Sequence, residues 1–407
     1  MSLLQLARAA WRGAVPESLR RRAAPVLNTA LKTYVRRAAR APHGAEMARG
    51  PIKLVGYYSG SHGIAASVRL AARAFEALGV PVERVDASHA KLTWVPHAAR
   101  AEPASAWIFH LNPPELLAEM AVLGPRRLLG PRYGYWAWEL PRAPVGWSKD
   151  GLLVDEIWAP SRYTAQAYAG LPAPVRVVPH PLFAGDYRGV IPAPRRAAFQ
   201  ALALFDFNSS AARKNPQGAI EAFRRAFGDD PAAELTIKTQ NGRLFPDLLA
   251  GLQALCPPNV RLVDETWPYD RVKSLIAGAD VLVSLHRAEG FGLTPAEAMA
   301  MGVPVVATGF SGNLDFMDAE TSILAPFRTV PVDDPQGIYG KQSWAEPDLD
   351  AAAKALNRLR SDKALRKRLA QAGRRRVAER LSPEAWFAAL PETLQAAALR
   401  LKAEAGA

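Results

Sequence analysis

Two glutamates near the end of the chain, Glu289 and Glu297, are separated by seven residues that begin Gly290-Phe291-Gly292-Leu293. Gly290 and Gly292 let the backbone approach a ligand closely. Thr294 fits a helix N-cap, Pro295 the first helical position and Gly302 the stop, so the amides ahead of this helix offer a site for an anion. Glu289 lies in a glycine-flanked loop with no helix to cap, which leaves its carboxylate for binding chemistry. Glu297 carries a structural reading too, because Thr294-Pro-Ala-Glu297 is a capping box. The next turn, Gly309–Asn313, presents Ser311, Gly312 and Asn313 in the same way. Upstream, Arg213-Lys214-Asn215-Pro216 sets two cations before a second helix start. A diphosphate there would be held by charge and by the helix dipole; the competing reading is two solvated surface charges. His110, in Phe109-His110-Leu111-Asn112, ends an apolar run, where an imidazole serves either a reacting centre or a structural hydrogen bond. His62 is the second choice for that role.

These residues need a frame that brings them together. From residue 51 the pattern alternates short β-branched runs with amphipathic stretches. Strands are expected at Ile52–Val55, Val82–Val85, Trp107–Phe109, Tyr133–Trp138, Ile157–Ala159 and Arg176–Val178. A second series falls at Ala201–Phe205, Glu234–Lys238, Arg261–Val263, Val281–Leu285 and Val303–Ala307. Alternation of this kind predicts parallel sheets with helices on both faces. Pro179, Pro181, Pro192 and Pro194, with Gly185 and Gly189, read as a linker between two α/β domains. Ligands of such sheets sit beyond the carboxyl ends of the strands, so the cleft between the domains is the expected site.

The segment 284–315 resembles the donor-site signature of glycosyltransferase family 4, whose members are retaining enzymes with the GT-B fold. Glu289 and Glu297 match its spaced glutamates, and Gly290-Phe291-Gly292-Leu293 its intervening loop. The resemblance implies that Glu289 contacts the transferred sugar, that Glu297 bonds the nucleotide ribose, and that the amides of Gly290–Leu293 hold sugar and phosphates. Lys214 matches the family's lysine on the leaving diphosphate. The family's arginine falls about a turn earlier, at Asn208 or Ser209 here; either Arg213 substitutes for it or that contact is missing. His110 matches the histidine near the reacting sugar. Gly63 and Ile64, in Gly60-Ser-His-Gly63-Ile64, resemble the acceptor-side loop. Tyr135-Trp136-Ala-Trp138-Glu139-Leu140-Pro141 and Asp155-Glu-Ile-Trp158-Ala-Pro160-Ser161 resemble a subset of these transferases, although buried packing explains their aromatics equally well. Ser382-Pro383-Glu384-Ala-Trp386-Phe387 is similar to the start of the helix that crosses back onto the N-terminal domain.

The implied organisation is two Rossmann-like domains facing across a cleft. Residues 1–50 form a basic extension, 51–190 an acceptor-binding domain completed by a C-terminal helix at 383–407, and 197–382 a donor-binding domain. The implied reaction moves a hexose from a nucleotide-diphospho-sugar to a hydroxyl of a saccharide or lipid-linked glycan, as in polysaccharide, lipopolysaccharide or glycolipid synthesis, with configuration retained. The alternative is a degenerate, membrane-associated scaffold, which the missing early arginine supports. No cofactor is expected and metal is not expected to be essential: Asp348-Leu-Asp350 precedes an alanine-rich stretch and reads as a helix start. A dinucleotide site is disfavoured, since Gly56, Gly60 and Gly63 miss the required spacing even though Asp86 ends the second strand.

Charge and composition complete the reading. With 49% hydrophobic and 22% charged residues the chain has a globular balance. Its single cysteine, Cys256, excludes an internal disulfide and points to a reducing compartment. No apolar run approaches the ~20 residues that span a bilayer, and Arg8 and Arg12 interrupt the apolar core a signal peptide needs. A cytoplasmic protein is expected. Residues 1–50 hold ten basic and two acidic side chains, a surplus of eight within the chain's net +13. Leu3, Leu4, Ala7, Trp11 and Val15 form one apolar helical stripe; Val26, Leu27, Ala30, Leu31, Tyr34 and Val35 form another, backed by Lys32, Arg36 and Arg40. Such stripes suit an anionic membrane, at the inner face of the plasma membrane, through residues 1–40; packing on the protein body is the other reading. Nucleic acid is not expected, because no binding motif accompanies the charge.

Overall fold

The computed structural model describes residues 29–30, 32–39, 50–60, 63–89, 103–194 and 197–406. Its first sheet pairs six parallel strands in the order β2-β1-β3-β4-β5-β6: β1 (Ile52–Gly56), β2 (Val82–Asp86), β3 (Ala106–Phe109), β4 (Arg132–Tyr135), β5 (Glu156–Ala159) and β6 (Val175–Val177). The second runs β12-β11-β10-β7-β8-β9: β7 (Phe199–Leu204), β8 (Ala233–Thr239), β9 (Val260–Asp264), β10 (Val281–Ser284), β11 (Val305–Thr308) and β12 (Ile323–Ala325). The helices that matter below are α1 (Gly63–Ala77), α2 (Pro113–Leu123), α3 (Arg162–Ala167), α4 (Ala211–Lys214), α5 (Pro216–Phe227), α6 (Tyr269–Gly278), α7 (Leu293–Ala300), α8 (Leu349–Ser361), α9 (Lys363–Arg380), α10 (Pro383–Ala388) and α11 (Glu392–Ala405).

Successive strand side chains point to opposite faces, and both faces are covered. Ala201 and Ala203 join the layer of Ile220, Phe223 and Leu356, whereas Leu202 joins that of Met299 and Val305. In the first sheet Val55 and Phe109 pack with Leu116 and Met120 of α2. Ile52, Leu54 and Ile108 pack with Val68 and Phe75 of α1. That last layer also holds Trp386, Leu390 and Leu394 from the end of the chain. Trp386 meets Phe75 edge-on at 4.9 Å, so α10 and α11 serve the first sheet, not the second.

Several boundaries differ from the sequence expectation. The strand expected at Tyr133–Trp138 leaves its sheet after Tyr135, because the chain turns toward the cleft and the Ala137 amide bonds Asn112 Oδ1 instead. The proline-rich stretch after β6 is packed: Leu182 and Tyr187 are buried in the second domain's core, around a short helix, Ala184–Tyr187. An antiparallel pair, β13 (Phe327–Pro331) and β14 (Ser343–Pro347), was not expected. Asp348 caps α8 through the amides of Asp350 and Ala351, as expected of a helix start.

The first apolar stripe, Leu3–Val15, and Val26, Leu27, Leu31 and Arg40 of the second lie outside the described residues. Residues 32–39 are helical and packed on the body: Val35 and Ala39 are buried beside Trp147 and Leu153, and Arg36 pairs with Asp150 at 2.7 Å. The buried Arg132 guanidinium bonds the carbonyl of Ala39 at 2.6 Å. Among the described residues no helix is long and apolar enough to cross a membrane.

Candidate active site

Each sheet reverses its strand order at one point, between β1 and β3 in the first and between β7 and β10 in the second. Ligand sites of open α/β sheets form there. In the second sheet a small cavity at the carboxyl ends of β7 and β10 is lined by Phe205, Lys214, Pro216, Leu285, Glu289 and Thr294. The structure thus brings together the two motifs that sequence spacing leaves far apart.

Glu289 is buried between two cations. Its Oε2 lies 3.1 Å from Arg213 Nη1, and Lys214 Nζ donates to Oε1. Burial alone would raise the Glu289 carboxyl, but the Lys214 and Arg213 charges overcome it and hold the group down at about 2. Burial lowers the Lys214 ammonium, against the pull of Glu289. Arg213 is almost wholly enclosed; its guanidinium also bonds the carbonyls of Ala288 at 2.8 Å and Ser209 at 3.2 Å. It therefore positions the carboxylate, and Lys214 is the cation that the cavity presents. Asn215 explains the placement. It caps α5 through the Gly218 amide with a left-handed φ of 53°, and Pro216 opens the helix.

The loop beyond Glu289 is fixed from two sides. Ser311 Oγ accepts the Glu289 amide at 2.8 Å, and the Gly312 amide donates to the Glu289 carbonyl at 2.9 Å. A Cβ on Gly312 would stand 2.2 Å from the Gly290 carbonyl oxygen, so only glycine fits. Ser311 adopts φ 80°, a strained conformation that needs such over-determination. Asn313 Nδ2 bonds the Thr308 carbonyl and its Oδ1 meets His286 Nε2 at 3.1 Å. His286 Nε2 also faces the Phe310 carbonyl, which can only accept, so this nitrogen carries the proton and Nδ1 accepts from Ser284. The polar groups of Ser311, Gly312 and Asn313 thus shape the Glu289 loop from within.

Helix α7 starts at Leu293, two residues earlier than the Pro295 start expected behind a Thr294 cap. Its N-cap is Gly292, with φ 95° and no side-chain bond. The capping-box reading of Glu297 falls with it. Glu297 sits beyond the first turn and accepts a hydrogen bond from Tyr269 of α6. Burial pushes its carboxyl up to about 7, against the lowering effect of that bond. Tyr187 OH stands 3.4 Å from Tyr269 OH.

On the facing domain, His110 is buried at the end of β3. Ser67 Oγ donates to the Ile64 carbonyl at 2.8 Å, so it accepts from His110 Nδ1, also at 2.8 Å. Nε2 is then the bare nitrogen, and among the described residues it has no partner. Burial, aided by nearby His180, drops the imidazole to about 3, which keeps it neutral. Gly63 opens α1 and Ile64 follows, one turn before Ser67; His62 lies outside the described residues. His110 stacks on Tyr135 at 4.7 Å, Tyr135 OH meets His180 Nδ1 at 3.2 Å, and His180 stands edge-on to Phe291 at 4.8 Å. That relay joins His110 to the Gly290–Leu293 loop.

The domains also touch directly. Ser161 Oγ, at the N-cap of α3, donates to the Gly290 carbonyl at 2.6 Å. Thr164 Oγ1 lies 3.1 Å from the same oxygen. Arg162 pairs with Asp315 at 3.0 Å. The segment ending in Ser161 stands out in the sequence without a role attached to that serine; Thr164, Ser67 and His180 carry no signal at the level of motif.

Residues 207–376 match the family model described as glycosyl transferases group 1. This part of the chain is similar to the group 1 glycosyltransferases. Similar solved structures extend the likeness to the whole fold. Anabaena HepE, in complex with UDP and glucose, aligns with TM-score 0.63 at 15% identity over 85% of this chain and 100% of its own. Sucrose-phosphate synthase from Thermosynechococcus elongatus aligns with TM-score 0.57 at 19% identity over 88% and 100%. The S. aureus TarM structure, a complex with fondaparinux, alpha-GlcNAc-glycerol and UDP, aligns with TM-score 0.51 at 13% identity over 73% of this chain. This chain spans 55% of TarM. The architecture is GT-B, two Rossmann-like domains, and the residues matched by the family model lie on the side of the second sheet. No curated protein is significantly similar in sequence.

Proposed function

We propose that this chain is a retaining glycosyltransferase that moves a hexose from a nucleotide-diphospho-sugar to a hydroxyl of a saccharide or lipid-linked glycan. The observation that carries this reading is the Arg213–Glu289–Lys214 cluster at the switch point of the second sheet. Bond cleavage puts negative charge on the diphosphate and positive charge on the sugar ring. Lys214, beside the start of α5, stabilises the leaving diphosphate; a preorganised donor of this kind contributes about 3–4 kcal/mol. Glu289 binds and orients the sugar and forms no covalent bond to it. The acceptor hydroxyl attacks the face from which the diphosphate departs, and its proton passes to the leaving phosphate oxygen. His110 Nε2 accepts a hydrogen bond from the bound sugar, and Glu297 one from the ribose. The reaction needs no resident cofactor and no essential metal. Arg213 is spent on Glu289 and two carbonyls and does not stand in for the early arginine on the diphosphate; the ordered Glu289–Lys214 pair at the cavity is what favours an enzyme over a degenerate scaffold.

The acceptor belongs to polysaccharide, lipopolysaccharide or glycolipid synthesis at the cytoplasmic face of a membrane, which the basic residues 1–28 would contact. UDP is the first ligand to try, since HepE and TarM were crystallised with it. A thermal-shift panel of UDP, GDP, ADP and CMP tests the reading, with Lys214→Ala as control. A ligand at 100 times its dissociation constant adds about 2.7 kcal/mol. One nucleoside diphosphate should raise the wild-type midpoint by several degrees and leave the variant unmoved. No response from well-folded wild type would reject the proposal.

A further inference from the structure

Between β12 and α8 the chain makes an excursion, residues 326–348, built on the β13–β14 pair. Its base belongs to the donor side. Trp344 is buried with Ala288 and Leu140, Glu346 pairs with Arg287 at 2.7 Å, and the Ala345 amide donates to the Arg287 carbonyl at 2.9 Å. Its far end grips the loop that carries the cations. Asp334 accepts from Ser210 Oγ at 2.8 Å. Gln336 accepts the Ala211 amide at 2.6 Å and donates to the Phe207 carbonyl at 2.7 Å. Ser210 has φ 62°, and a non-glycine residue holds such a conformation only under outside support.

The same arm crosses to the other domain. The Tyr339 ring covers the Arg213 guanidinium, 6.0 Å from ring centre to Cζ. Its hydroxyl donates to Glu139 Oε2 of the facing domain at 3.0 Å. Gln342 exchanges two hydrogen bonds with the backbone of Arg142, at 2.9 and 3.0 Å, and Trp138 stands edge-on to Tyr339 at 5.6 Å. A single element therefore touches the buried arginine, the strained loop and the opposite wall of the cleft. Opening the cleft separates Tyr339 from Glu139, Gln342 from Arg142 and Trp344 from Leu140, while the ties of the arm to Arg287 and Ala288 stay within one domain.

We propose that the β13–β14 arm latches the cleft, and that Tyr339 is a positioning residue whose bond to Glu139 couples cleft closure to the placing of Arg213 and, through it, Glu289. This rests on reading the cavity as a diphosphate site. The closed form holds the cations ready, so loosening the latch lowers its population and weakens nucleoside diphosphate binding by the same factor.

The test uses the full chain and a double-mutant cycle on UDP, GDP and ADP affinity. Tyr339→Phe keeps the ring over Arg213 and removes only the hydroxyl; Glu139→Leu removes the acceptor. Losing a hydrogen bond of about 1 kcal/mol shifts affinity about five-fold. Each single variant should bind the responding diphosphate about five-fold more weakly, and the double variant no more weakly than either. Wild-type affinity in the singles, or effects that multiply in the double, would overturn the latch. Hydrogen exchange without ligand gives a second readout: amides of residues 138–142 should exchange faster in Tyr339→Phe, with β7–β9 unchanged. If the wild type binds no diphosphate, the functional reading fails and exchange alone decides. Unchanged exchange at 138–142, or acceleration spread through β7–β9, would then overturn the latch.

Discussion

At the scale of single residues, the diphosphate of the proposed reaction would compete with Glu289 for one cation. Lys214 donates to Glu289, and a bound diphosphate would take that ammonium over. Glu289→Gln should therefore bind the free nucleoside diphosphate several-fold more tightly than wild type while transfer is lost, a split that titration and turnover assays read separately. Protonation gives a second prediction. Glu297 titrates at about 7 when folded, above the ~4.3 of a free glutamate, so the folded state keeps a proton that the unfolded chain releases. Its contribution to stability is fully present below pH ~4.3 and is lost as pH rises through 7. Thermal midpoints of wild type should decline across pH 5–8 from this group, and Glu297→Gln should remove that part of the decline. Glu289 at about 2 and His110 at about 3 act on the other limb, where stability is lost as pH falls. Glycine, carboxylate and lysine spacing made Glu289 and Lys214 legible in the sequence. Ser67, which fixes the His110 tautomer, and Tyr339, which covers Arg213, were not legible, because their roles arise from contacts 43 and about 126 positions away in the chain.

At the scale of elements, the two loops that follow β10 and β11 work as one unit. Gly312→Ala would force a methyl group onto the Gly290 carbonyl. The helices and strands around it are independently packed, so the fold should survive with a modest loss of stability while nucleotide binding falls at least ten-fold; circular dichroism and calorimetric titration check the two halves of that statement. Buried strands such as Val281–Ser284 and Val305–Thr308 were readable as apolar runs. The β13–β14 pair was not, since Phe327, Arg328 and Thr329 are exposed and give no alternation to read. The start of α7 was misread for a local reason: a glycine with φ 95° can open a helix without a side-chain cap, and Thr294 looked like the better candidate by type alone.

At the scale of the whole molecule, the excess positive charge divides into a packed part and a part that precedes it. Residues 32–39 are built into the first domain through Val35, Ala39 and the Arg36–Asp150 pair. Removing residues 1–28 should leave the thermal midpoint within a degree or two of wild type, and removing residues 1–40 should lower it clearly. If the basic stretch meets anionic lipid, the shorter truncation also abolishes sedimentation with phosphatidylglycerol vesicles while leaving nucleotide binding intact. The two-domain plan was legible from the alternation of strands and helices. The ties between the domains were not, because Ser161, Arg162 and Gln342 are ordinary polar residues until the cleft brings them against Gly290, Asp315 and Arg142.

The return of α10 and α11 to the first sheet has a consequence for anyone wishing to recombine this protein with others. The first domain is discontinuous, since Trp386 and Leu394 complete a layer begun by Ile52 and Phe75. A chimera that exchanges only the leading half would graft a new sheet under a foreign tail and leave Trp386 without its fitted socket. An exchange that carries both ends together keeps that layer whole. It must still bring hydroxyls equivalent to Ser161 and Thr164, because the Gly290 loop of the retained half leans on them.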